Sequence, residues 1–239
     1  MVASEGFTFE FYRRLMQFAL ENFDIRTFGN HDKKSKKDLP ILLIRHDIDV
    51  SLRRALELAC LEKELGISST YMIMANSLLY NLEKEKEKIL TIQRFGHEIG
   101  LHFENPDIDL VKLNASCKKL EGIIGRRVAS FSIHRRYLLE QKISDRVITC
   151  GPPLLKNYFS DSRGIFNLEH FEKILVNRHD NITQWLFHPI WWGNEKSSEI
   201  NLGIHIQKQF SYHFLENQII PYIRSLIQTL PKFFGKSHA

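Results

Sequence analysis

The stretch LPILLIRHDID, residues 39–49, decides how the rest of the chain is read. Residues 39–44 are a short continuous apolar run, the pattern of a strand buried on both faces, as in a parallel sheet. The run gives way to charge at Arg45, His46, Asp47 and Asp49. Alternate residues of an extended chain share a face, so Asp47 and Asp49 project the same way. Two carboxylates this close repel unless a cation neutralises them or one is protonated. Asp49 has a competing use as a cap for the next helix, but a cap needs only one acid and leaves Asp47 unexplained.

Beyond this stretch, residues 51–66 read as a helix, with Ser51 as N-cap and Gly66 just past its end. Residues 67–74 read as a strand, 83–96 as a helix closing on Gly96, 97–104 as a strand, 109–125 as a helix ending at glycine, and 127–134 as a strand. A strand–helix unit recurring at about thirty-residue spacing, without sequence repeats, predicts βα units in a parallel sheet or barrel. Upstream, Phe11, Leu15, Phe18, Ala19 and Phe23 give residues 7–23 a helical apolar face. A lysine-rich loop from Gly29 to Asp38 follows. Downstream, 157–162 reads as a short strand, 168–177 as a helix, and 182–192 as a strand carrying His188 and two tryptophans near its end. Tyr212 to Leu230 reads as helical, broken near Pro221. No linker divides the chain, so residues 1–239 are expected to form one domain: an N-terminal helix and basic loop over 1–38, a core over 39–192 and a helical region over 193–239.

The 239 residues are 43% hydrophobic and 26% charged, enough apolar material for a core without disulfide staples. The net charge of +5 is mild and partly local, at Lys33, Lys34, Lys36 and Lys37. It reads as a solvated loop rather than a nucleic-acid patch. Cys60, Cys117 and Cys150 are odd in number and widely spaced, which argues against a disulfide framework; Cys60 and Cys117 are expected as small core residues. No basic leader or membrane-spanning run is visible, so a cytoplasmic location and no stable membrane insertion are expected.

Four of the expected strands end in reactive groups: Asp47 and Asp49, His102 and Glu104, His134 and Arg135, and His188. In parallel βα folds the carboxyl ends of the strands share one mouth, where functional groups collect. Carboxylate with imidazole is a donor set for zinc, iron, manganese or cobalt. His97 opens its strand and belongs at the opposite rim. His31, His170, His179, His205, His213 and His238 read as solvated. Trp185 reads as core, whereas Trp191 and Trp192, just past a strand end, read equally as core packing or as the aromatic wall of a pocket.

The blocks LLIRHDID, LGISSTYMIM, FGHEIGLHFE, SFSIHR and WLFHPIWW, in that order over roughly residues 39–192, resemble the polysaccharide-deacetylase superfamily (NodB-homology, carbohydrate esterase). Within it they are most similar to the divergent HDxD branch associated with surface-polysaccharide or O-antigen biosynthesis. The resemblance implies an α/β fold, a distorted (β/α) barrel of about seven strands. It implies a metal-dependent hydrolase that removes an N-acyl group from an amino sugar or polysaccharide precursor. Asp47 would be the catalytic base, His188 the catalytic acid, and Asp49 and His102 metal ligands. The ion would be divalent: zinc first, with cobalt, manganese, nickel or iron as alternatives. The family's usual HxxxH spacing is broken, because Pro106 stands four residues after His102; a third ligand then falls to Glu104 or His134. Arg135 and Arg163 are the candidates for the arginine that orients the base. The segment SDSRG, 160–164, would bring Asp161 and Arg163 to the pocket, where the Asp161 carboxylate would favour a protonated His188. Two other readings are a non-catalytic sugar-binding relative and a different metal-dependent hydrolase on a similar barrel.

Overall fold

In the computed structural model, residues 7–32, 39–104, 109–134, 145–178 and 182–193 are described. All lie in the first of two units into which the chain divides, Met1–Lys196. The C-terminal region, the lysine cluster, Arg135 and His179 fall outside the described residues.

Eight parallel strands form one sheet: β1 (Asp24–Arg26), β2 (Ile41–Ile48), β3 (Thr70–Ile73), β4 (Glu98–Phe103), β5 (Ser130–Ile133), β6 (Val147–Ile148), β7 (Asn157–Ser160) and β8 (Thr183–Phe187). Seven follow the order β6-β5-β4-β3-β2-β8-β7. The eighth, β1, pairs with Ile41–Leu43 at the start of β2, while β3 pairs with Arg45–Ile48 further along. β8 runs along the other edge of β2.

The sheet curls. Laid flat, four strand spacings would hold β6 about 19 Å from β2. Yet Arg45 Nη1 of β2 donates to Thr149 Oγ1, just after β6, at 2.9 Å. Gln184 Nε2 of β8 donates to the carbonyls of Thr149 and Leu154 at 3.3 and 3.0 Å. These bonds cross the interior, and the short helix α5 (Pro152–Leu155), which follows β6, packs against β7 and β8. The result is the distorted, incompletely closed (β/α) barrel with a seven-stranded path.

Helices α1 (Phe9–Asn22), α2 (Leu52–Glu64), α3 (Lys86–Arg94), α4 (Leu110–Ile124) and α6 (Leu168–Val176) complete the chain order. The expected caps are in place: Ser51 Oγ accepts from Arg54 N, and Gly125 ends α4 in the left-handed region at φ 66°. Ile48, Tyr71, Ile73, Leu101, Phe103 and Phe131 face outward into the main apolar core with residues of α2, α3 and α4. Their alternates Asp47, Met72, Gly100, His102 and Ser132 face the barrel interior. A Cβ on Gly100 would collide with the Met72 side chain, so its absence lets Met72 fill the barrel. The N-terminal end of the barrel is plugged by Phe28: Phe28 N donates to Thr70 Oγ1 and Gly29 N to Glu98 Oε2.

Three details differ from expectation. β2 does not stop at the charges but runs through Asp47 to Ile48, because Arg45 and Asp47 neutralise each other inside the barrel. β1 and β6 are too short, at three and two residues, to show any periodicity. Cys60, expected in the core, is exposed, whereas Cys117 and Cys150 are buried; all three are free thiols.

Outside the barrel a buried polar hub joins α1 and α2 to the sheet. Glu62 of α2, fully buried, accepts from the hydroxyls of Tyr12 (2.6 Å), Ser69 (2.7 Å) and Tyr71 (2.7 Å) and from His46 Nε2 (2.9 Å). His97 Nδ1 lies 3.7 Å away, at the rim opposite the barrel mouth. Burial alone would raise the Glu62 carboxyl, but His46, His97 and Tyr12 bring it down from the 4.5 of an ordinary glutamate to about 2. A depressed carboxyl contributes stability that is present above pH 4.5 and lost as pH falls toward 2. Glu62→Gln puts an amide donor among donors, and denaturant titration at pH 7 is expected to show a loss of about 3 kcal/mol or more. The variant should also lose less stability than the parent between pH 5 and pH 3; equal acid sensitivity would contradict the assignment.

Candidate active site

Arg45, Asp47 and Asp49 alternate along one line at the carboxyl end of β2, so all three side chains enter the barrel mouth. Arg45 grips Asp47 with a two-pronged pair, Nε to Oδ1 at 2.9 Å and Nη2 to Oδ2 at 2.8 Å. Only 4% of Asp47 is exposed. Burial alone would raise its carboxyl, but the Arg45 guanidinium, with His102 and His188, holds it below the usual carboxylate range. The arginine that orients this carboxylate is therefore Arg45. Arg163, expected as a candidate for that role, sits exposed on the turn after β7, and Arg135 is outside the described residues. Arg45 and Asp47 stand two apart, a spacing that points to the pair once β2 is seen to run on through both.

His102 enters from β4, 2% exposed. Its Nε2 lies 3.2 Å from Asp49 Oδ1 and 3.8 Å from Asp47 Oδ2, and its Nδ1 lies 2.6 Å from Ser132 Oγ of β5. His134 continues the β5 ladder past the end of the strand, its N–H donating to Phe103 O at 2.8 Å. Its ring stands edge-on to His102, with centroids 5.1 Å apart. One ligand atom each from Asp49, His102 and His134 lies within 4.8 Å of the others. Glu104, the other candidate third ligand, is not part of this cluster, and its Oε1 accepts from Asn76 Nδ2 at 2.5 Å.

Two observations fit this cluster to a divalent cation. Asp49 Oδ1 and His102 Nε2 are buried and have no hydrogen-bond partner, although they face each other. Ligand atoms about 2.1 Å from a tetrahedral ion sit about 3.4 Å from one another, close to the spacing these two atoms hold. One carboxylate and two imidazoles form a three-ligand set that leaves a position open, as in catalytic rather than structural sites. Burial alone would raise Asp49, but the imidazoles of His102, His134 and His188 lower it far into the ionised range.

His188 follows β8 and completes the mouth, with Nε2 3.9 Å from Asp49 Oδ2. Its Nδ1 donates to Asp161 Oδ1 at 2.6 Å, and its backbone N–H donates to the same carboxylate. Burial alone would depress the imidazole, but the Asp161 carboxylate pushes it up from 6.5 to about 9. Asp161 and Trp192, both expected to line the pocket, are instead fully buried. Trp192 packs among Phe7, Phe11, Tyr12 and Phe187 and donates its Nε1–H to Asp161 Oδ2 at 2.8 Å. Both residues thus reach the mouth only by way of His188, and together they give the Asp161 carboxylate the partners it needs once it leaves water. Trp191 is 4% exposed and lies across Gly164, so it walls the turn rather than an open pocket. Trp185 is core, as expected.

The site is a carboxylate–bis-imidazole donor set flanked by a clamped carboxylate and a held imidazolium, at the mouth of a parallel barrel. No family model matches the chain, and no curated protein does. Solved structures with a similar course of the chain include a peptidoglycan deacetylase from Bdellovibrio bacteriovorus (14% identity, 71% of this chain and 51% of that one, TM-score 0.44). Others are the peptidoglycan deacetylase PdaC from Bacillus subtilis (13% identity, 72% and 85%, TM-score 0.46) and a CE4 family pseudoenzyme from Bacillus anthracis (12%, 72% and 60%, TM-score 0.45). The chain spans 51% of the Bdellovibrio enzyme's length. No helix among the described residues is long and apolar enough to cross a membrane.

Proposed function

We propose that this chain is a divergent polysaccharide deacetylase, a hydrolase that uses a divalent ion, zinc first, to remove an N-acetyl group from an amino sugar or surface-polysaccharide precursor. The observation that carries the reading is the pair of buried, unpartnered ligand atoms, Asp49 Oδ1 and His102 Nε2, beside His134, with a base and an acid at the same mouth. Asp49, His102 and His134 would hold the ion. When bound, it supplies a Lewis acid that polarises the acyl carbonyl and makes water a stronger acid.

Asp47 takes a proton from the attacking water, with Arg45 fixing both carboxylate oxygens so that the proton-accepting lone pair points into the mouth. The water oxygen bonds to the acyl carbon and the C–N bond breaks. An amine is too basic to depart as an anion, so His188 donates the proton it holds on Nε2. Asp161 keeps that imidazole charged and aimed. Among the residues expected to meet the sugar, Arg163, exposed on the turn after β7, stays in this proposal, and Arg135 stays in it from the sequence alone.

Purified protein supplied with zinc or cobalt is expected to release acetate from an N-acetylhexosamine oligosaccharide, and Asp47→Asn to abolish the release. Tight sugar binding without any acetate release, across free, nucleotide-linked and polymeric N-acetylated sugars, would replace the enzyme reading with that of a sugar-binding relative.

A further inference from the structure

His102 and Ser132 are direct neighbours across the β4–β5 ladder, Cα partners on the interior face. Ser132 is fully buried, and its hydroxyl lies 2.6 Å from His102 Nδ1. Among the described residues that nitrogen is the hydroxyl's one hydrogen-bond partner. A neutral imidazole carries one N–H, and the hydrogen bonds around the ring decide which nitrogen holds it. On Nε2 the proton would have carboxylates near it, Asp49 Oδ1 at 3.2 Å and Asp47 Oδ2 at 3.8 Å, but neither is aligned for a full hydrogen bond. On Nδ1 the proton meets Ser132 Oγ at hydrogen-bonding distance. The alternative, with the serine donating to Nδ1, forces the proton onto Nε2, where it occupies the position from which that nitrogen and Asp49 would share a cation.

We infer that Ser132 is a positioning residue: it accepts from His102 Nδ1–H and thereby presents the Nε2 lone pair toward Asp49 and His134 before any cation arrives. This rests on the proposed metal reading of the site. Partners on the far nitrogen of a ligating histidine commonly change metal affinity by about 10–100-fold. A serine in this place differs from a carboxylate, because it fixes the tautomer without adding charge.

The test uses the full chain with isotope-labelled histidine. Heteronuclear NMR of the metal-free protein is expected to show His102 in the Nδ1–H tautomer. Ser132→Ala is expected to shift it toward Nε2–H or a mixture, and to weaken zinc binding in chelator competition by about 10-fold or more. Ser132→Thr, which keeps the hydroxyl, is expected to restore both. An Nε2–H tautomer in the parent protein overturns the inference even if Ser132→Ala fails to fold. So does a Ser132→Ala protein whose tautomer is unchanged and whose zinc affinity stays within about a factor of two. Failure of the metal reading looks different: the parent protein would bind no zinc, and the tautomer measurement alone would then decide the role of Ser132.

Discussion

Replacing Asp47 with asparagine is expected to cut turnover on an N-acetylated amino sugar by about 10²–10⁴-fold while metal content stays at the parent level. The amide has almost the volume of the carboxylate but cannot take a proton from water. Asp49, His102 and His134 are untouched, so the donor set survives. Part of the two-pronged pair with Arg45 is lost, because the amide nitrogen meets a guanidinium N–H where an oxygen stood. Thermal stability should therefore fall modestly as well. Arg45 keeps its bonds to Thr149 and Gln184, which limits the structural damage. Steady-state kinetics beside elemental analysis of the same preparation checks both halves. Turnover within about tenfold of the parent would remove Asp47 from the chemistry, since a general base contributes more than that.

His188→Ala is expected to slow hydrolysis of an alkyl amide by about 10²–10³-fold, and to do far less harm with a leaving group that departs unprotonated. The same imidazole sets the alkaline side of the pH profile. Its pKa is raised to about 9, so the proton is present below that pH and activity falls as pH rises through it. A cation beside Asp49 would cancel that carboxylate's share of the shift but leave Asp161's share, so the limb stays above the 6.5 of an ordinary imidazole. Asp161→Asn should bring the alkaline limb down toward 6.5 with metal content unchanged. An equal penalty for His188→Ala on good and poor leaving groups, or loss of the metal, would move the acid role elsewhere.

The parallel architecture is readable because β2 is buried on both faces and so has an unbroken apolar run, and because Gly66, Gly96 and Gly125 mark where helices stop. Strand-end residues Asp47, Asp49, His102 and His134 are readable as one mouth because parallel strands bring their carboxyl ends to one side. Arg45 is not legible in the same way, because a charge beside a run of charges reads as the end of a strand. Its pairing with Asp47 is visible only once β2 is known to continue. Asp161 and Trp192 read as pocket residues because their position past a strand end is the same whether the side chain turns out to the mouth or under it. The pairing of Asp161 with His188 is expected once both are placed at one mouth, but only packing shows that Asp161 and Trp192 turn under and hold His188 from behind. The Glu62 hub has no sequence signature, since Tyr12, His46, Glu62, Ser69, Tyr71 and His97 come from five separate segments.

Metal uptake tests the central claim most directly. The protein, stripped with chelator and titrated with zinc or cobalt, should take up one ion per chain. Asp49→Ala and His102→Ala should each lose most of that affinity, and His134→Ala a large part of it, with far-UV circular dichroism unchanged. A parent protein that takes up no stoichiometric ion, or an Asp49→Ala/His102→Ala protein that binds it as well as the parent, would contradict the account.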